Sequence, residues 1–136
     1  MTPAIVITRK PELAKRPAKA IGPIVFLPAD APPHLKAHEL THVRWWWAVT
    51  IPTAAVLAAV AHIVPWVSFW AVAASPIVYA ALYRTQWFRY RAELAAYVVA
   101  ARIAPTEARR FSRALAREYG VSRSEDGCYS DIKARI

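Results

Sequence analysis

Residues 34–47 read HLKAHELTHVRWWW, and everything else in the chain is organised around them. The stretch holds His38-Glu39-Leu40-Thr41-His42, the pattern H-E-x-x-H. In a helix, residues four apart share a face. His38 and His42 can therefore aim their imidazoles at one ion, and zinc accepts imidazole nitrogens readily. Glu39, next to the first histidine, is then placed as the general base of a zinc hydrolase. The plain alternative is a helix carrying two unrelated histidines. His34 extends the series by one more turn, but His34 and His42 stand ~12 Å apart along a helix axis. His34 is expected to belong to the first helical turn and not to the metal.

Immediately after the motif the chain loses its charge. Residues 45–83 contain no Asp, Glu, Lys or Arg, and Arg44 and Arg84 bound them. A membrane crossing needs ~20 apolar residues, so this length suits two crossings. Pro65, near its middle, suits a turn. The expectation is an apolar helical hairpin over 46–83, one arm near 46–63 and the other near 66–83, each ~27 Å long. Trp45, Trp46, Trp47, Tyr83 and Trp87 mark one end, Trp66 and Trp70 the other, like the aromatic belts of membrane proteins. A hairpin buried in a large protein assembly is the alternative, which the many weakly lipophilic alanines keep open. His62, in the first arm, is expected to be an interfacial or core imidazole.

The flanks are basic. Of the formal net charge of +9, residues 1–44 carry +4 and residues 84–136 carry +5. With both flanks basic and the turn uncharged, a membrane hairpin would leave both termini in the cytoplasm. Excess positive charge suits an anionic neighbour, and beside an apolar segment lipid is expected before nucleic acid. Cys128 is the only cysteine, which excludes an intrachain disulfide framework and a Cys-rich zinc finger. The N-terminal stretch has no apolar core of signal-peptide length, so no cleaved export signal is expected. The length suits one domain, 1–136.

Before the motif, AIVIT and IGPIVFLP are β-branched runs joined by a basic, Pro-containing connection, which predicts a short N-terminal β-hairpin within residues 1–33. The metal helix follows over 34–47. After the apolar segment, WFRYRAELAAYVVAARI predicts a helix in which Glu93 lies on a mostly apolar stripe. A carboxylate there is costly unless it is paired or metal-bound. An ion pair with Arg89 is one solution and metal ligation another. APTEARRFSRALAREYG predicts a further helix, with Thr106 as cap, Glu107 in its first turn and Gly120 at its end. Arg109, Arg113 and Arg117 form a basic stripe on it, suited to phosphates or simply to solvent. Cys128 has no nearby histidine and is expected to be a free thiol. The fold class is mainly α (α+β), with strands confined to the N-terminus.

An H-E-x-x-H helix, an apolar two-helix hairpin and a helix supplying Glu together resemble the membrane-embedded gluzincin metallopeptidases, which include the CAAX-processing and heat-shock-induced membrane proteases. The resemblance covers roughly residues 21–103. It implies a minimal zincin-like core with Zn2+ held by His38, His42 and Glu93, and Glu39 as the base. That family's third-ligand helix usually reads E-x-x-x-D, whereas Glu93 is followed four residues on by Tyr97. The partner that would orient a histidine is therefore different here. The chain is also similar to small H-E-x-x-H proteins of tailed bacteriophages and bacteria. Three functions compete: a zinc metallopeptidase at a membrane surface acting on a peptide or protein; a catalytically silent zinc-binding structural or virion component; and a basic membrane- or nucleic-acid-binding protein with an accidental motif. Glu125 and Asp126 are the acids to turn to should Glu93 not be the third ligand.

Overall fold

The computed structural model describes residues 3–9, 18–64, 72–119 and 123–136. Pro65, Trp66, Trp70 and Gly120 lie outside them, and with them the expected turn of the apolar hairpin. The described part is mostly helical with one small sheet, as the patterning predicts.

The sheet differs from a simple hairpin. Strands β1 (Ile5–Arg9), β2 (Lys19–Ile21) and β3 (Ile24–Pro28) are arranged β1-β3-β2. β2 and β3 form the antiparallel hairpin, while β1 adds to the other side of β3 in parallel. The run IGPIVFLP thus holds both a strand and the turn that precedes it. Ile21 pairs with Ile24 across a two-residue loop, Gly22-Pro23. Gly22 has φ 59°, a value that a side chain disfavours, and a two-residue loop with glycine first matches the twist of paired strands. Along β3 alternate side chains turn inward: Val25 and Leu27 are buried and pack with Val43 into a small core, flanked by Leu40 and Trp47. The sheet is thereby seated on the first turns of the long helix.

That helix, α1, runs unbroken from Pro33 to Ile63. The expected metal helix and the first apolar arm are one element, because Trp45–Trp47 contain no breaking residue. Pro33 suits the first turn, where its missing N–H has no intrahelical partner. Pro52 lies inside the helix and forfeits one backbone bond without ending it. α1 is ~46 Å long at 1.5 Å per residue, and is long and apolar enough to cross a membrane. Helix α2 (Ser75–Arg84) returns along it, and Thr85 alone separates α2 from α3 (Gln86–Ile103). The Thr85 hydroxyl donates to the Leu82 carbonyl at 2.7 Å, closing off α2 so that α3 can start in a new direction.

The second core lies on the far side of α3. Leu94, Val98 and Ala101 pack with Phe111 and Leu115 of α4 (Ala108–Glu118) and with Cys128 and Ile132 of α5 (Glu125–Lys133). Thr106 does not cap α4. It sits in a 3-10 turn, Pro105–Glu107, and no side chain bonds the helix start. Ser124 caps α5 instead, accepting from the Gly127 amide at 3.1 Å. Cys128 is a free, buried thiol.

Candidate metal centre

α1 and α3 pack side by side, and their contact carries the site. His38 and His42 project from one face of α1, one turn apart. Their Nε2 atoms are 3.3 Å from each other, and each is 3.5 Å from Glu93 Oε2 on α3. Three lone-pair-bearing atoms therefore face one point. They repel one another unless a proton or a cation lies between them. Four donors at ~2.0–2.1 Å around a tetrahedral zinc are ~3.3–3.4 Å apart, so the observed triangle has the dimensions of one face of that polyhedron. Two imidazoles and a carboxylate also suit zinc chemically, and three protein donors leave a position for water or substrate. The residues fit the ion.

The surroundings hold these atoms in place. Glu93 is only 3% exposed. Burial alone would raise its carboxyl, but the His38 and His42 imidazoles and the Tyr83 hydroxyl outweigh it and keep the group well below the usual carboxylate range. Tyr83, in the last turn of α2, donates to Glu93 Oε1 at 2.5 Å. This bond leaves Oε2 free to face the histidines, and Oε2 has no hydrogen-bond partner of its own. The expected alternative, an ion pair of Glu93 with Arg89, does not form among the described residues. The Arg89 guanidinium lies instead over the rings of Tyr119 and Tyr83, at 4.8 and 6.0 Å. Tyr97, where the resembling family has Asp, packs its ring on His38 at 4.5 Å between centroids. It positions that imidazole by contact and not by a charged hydrogen bond. His42 Nδ1 is buried without a partner, so among the described residues this imidazole lacks the carboxylate orientation that such sites often use.

Glu39 is 8% exposed and faces the same pocket. Burial pushes its carboxyl up; the two imidazoles and the Ala20 backbone amide pull it down, and Glu93 pushes it up. The net shift is upward, the direction that suits a base near neutral pH. The Ala20 contact brings β2 to the site. A pocket of about 690 Å3 is lined by Ala18–Gly22, the three motif residues, Tyr79 and Tyr83 of α2, and Arg89, Glu93 and Tyr119. That is within the usual size of small-ligand and peptide sites, ~300–1,000 Å3. β3 is central in its sheet and paired on both sides, so the strand presented to the pocket is the edge strand β2.

His34 stands apart, its ring 5.7 Å from that of Phe111. His62 is exposed in the last turn of α1. Glu125 and Asp126 lie on α5, paired with Arg113 and Arg109 at 3.3 and 2.6 Å, and do not approach the histidines. Sequence reading does not place Tyr83, Arg89 or Tyr119 in this pocket. An aromatic at the end of an apolar arm reads as interfacial, and only the tight Thr85 link shows that Tyr83 must fold back over Glu93.

No family model, curated protein or solved structure is significantly similar to this chain. The resemblance to the membrane gluzincins rests on the His38–Glu39–His42 motif and on the approach of Glu93 to it.

Proposed function

We propose that this chain is a zinc-dependent peptidase working at a membrane surface. The observation that carries the reading is the triangle of His38 Nε2, His42 Nε2 and Glu93 Oε2 with the Glu39 carboxylate in the same pocket. Zinc bound there would supply Lewis-acid activation of water and of a peptide carbonyl. His38, His42 and Glu93 would hold the ion, and Tyr83 would fix which Glu93 oxygen faces it. Glu39 would accept a proton from the attacking water on a carboxylate oxygen and return it to the leaving amine. Backbone groups of the edge strand β2 would align an extended peptide. Arg89, beside Glu93 on the pocket wall, would offer a fixed positive charge to a substrate oxygen.

The apolar hairpin is the basis for the membrane part. Ile51, Val56 and Ile63 on α1 and Ile77 on α2 are exposed, the last three at 62%, 78% and 67%, and α1 is long and apolar enough to cross a membrane. Both termini would then lie on the cytoplasmic side. Burial of the hairpin in a large assembly, a virion among them, is the second reading. It is favoured by the exposed Ile51, Val56 and Ile77, which a protein partner would cover as well as lipid would.

The test is Glu39→Gln. An amide accepts no proton from water, so the variant keeps metal and fold and loses hydrolysis of a quenched peptide library presented with phospholipid. Equal cleavage by both proteins would end the peptidase reading. Metal binding in both without cleavage in either would favour the structural one.

A further inference from the structure

The basic stripe on α4 is not free for phosphates along its length. Arg109 and Arg113 turn onto Asp126 and Glu125 of α5, and Arg110 onto Glu107. A different set of cations remains. Arg91 of α3, Arg123 ahead of α5 and Arg135 behind it converge on one cavity of about 400 Å3. Its one lining acid, Asp131, is already engaged by the Tyr90 hydroxyl at 2.5 Å and by Arg123. Among the described residues, neither Arg91 nor Arg135 has an acidic partner. The lining thus holds two positive charges in excess.

We propose that this cavity binds the phosphate of an anionic lipid headgroup. Guanidinium groups present several N–H donors in a planar fork that matches phosphate oxygens. Arg123 keeps donors to spare beyond its pairing with Asp131, because a guanidinium carries five. The place of the cavity argues for lipid over a free anion. Gln86 and Trp87, on its rim, follow α2 by only one residue, where the apolar arm rejoins the domain. Trp87 is 68% exposed, with the Arg91 guanidinium 5.2 Å over its ring. Exposed tryptophans favour the membrane–water boundary. Nucleic acid fits less well: it asks for an extended row of cations, and the α4 row is partly neutralised.

The lipid assignment rests on the membrane reading of the hairpin, and the experiment separates the two. The full chain in uncharged detergent is titrated with short-chain phosphatidylglycerol, short-chain phosphatidylcholine and inorganic phosphate, with the thermal midpoint as readout. Phosphatidylglycerol is expected to raise the midpoint and phosphatidylcholine to leave it. Arg91→Gln/Arg135→Gln should raise the half-saturating phosphatidylglycerol concentration by ~10-fold or more, about one charge-assisted hydrogen bond. Arg110→Gln/Arg117→Gln, an equal change in net charge, should not. An equal loss in both double variants, or no response to phosphatidylglycerol, overturns the site. An equal response to inorganic phosphate overturns the lipid assignment. Retention of the chain on phosphatidylcholine vesicles through alkaline carbonate tests the hairpin separately: a chain that washes off yet still discriminates phosphatidylglycerol keeps the pocket and loses the span.

Discussion

The two ends of α1 invert the usual rule of protein interiors. Its first turns bury His38, Glu39 and Thr41, while its last turns expose Val56, Val60 and Ile63. Polar groups inside and apolar groups outside, on one continuous helix, mean that each end meets a different environment. The inner end faces α3, where a second carboxylate and a tyrosine turn a costly burial into a binding site. Among the described residues the outer end packs along α2, whose own Ile77, Val78 and Leu82 are exposed as well. Burying polar atoms without partners costs ~1–3 kcal/mol each, so the inner end demands something between its three donors. Leaving apolar area in water forgoes ~25 cal/mol per Å2, so a non-aqueous neighbour would stabilise the outer end. One helix carries both ends, which ties the candidate metal centre to the exposed apolar surface.

Substitutions on the two sides should break this comparison in opposite ways. The largest effect is expected at the inner end. His42→Ala removes one of three donors, and zinc should fall from about one per chain to none, measured by elemental analysis after gel filtration; His34→Ala should leave it intact. Next comes Leu115→Ala, in the core against which α3 packs, which should cost ~2–5 kcal/mol of stability in denaturant unfolding. Ile51→Ala on the exposed arm should cost less than ~0.5 kcal/mol in the same assay while weakening retention on vesicles. A comparable loss at both positions would mean that the arm is packed in the isolated chain. Tyr83→Phe should lower zinc affinity ~10–100-fold, the range for groups that orient metal ligands, with the fold unchanged by circular dichroism. The smallest effect belongs to Arg109→Ala, whose exposed pair with Asp126 is worth at most ~1 kcal/mol. Tags at the two termini should report the same side of a membrane, and opposite sides would leave α1 as a single crossing.

Local periodicity carried the sequence reading well. The four-residue spacing of His38 and His42 places both on one helical face whatever surrounds them. Glu93 was legible as an acid on an apolar stripe, and the structure brings it to the histidines instead of to Arg89. Non-local pairing carried little signal. The parallel addition of β1 to β3 joins segments with a long connection between them, and no pattern within AIVIT announces it. The turn inside IGPIVFLP was overshadowed by the apolar run, although Gly22-Pro23 encodes it. The α4 arginines read as a phosphate stripe because their acidic partners, Glu125 and Asp126, lie on the next helix. Tyr83 was read with the interfacial aromatics because its role depends on how sharply Thr85 turns the chain.

The central claim is that three side chains from two helices form one zinc site, and metal stoichiometry tests it most directly. Native mass spectrometry of the full chain, stripped with chelator and returned to equimolar zinc, should show about one ion per chain. Glu39→Gln should match it, while Glu93→Ala and His42→Ala should lose it. No retained zinc in the unaltered chain, or full occupancy in Glu93→Ala, would contradict the account.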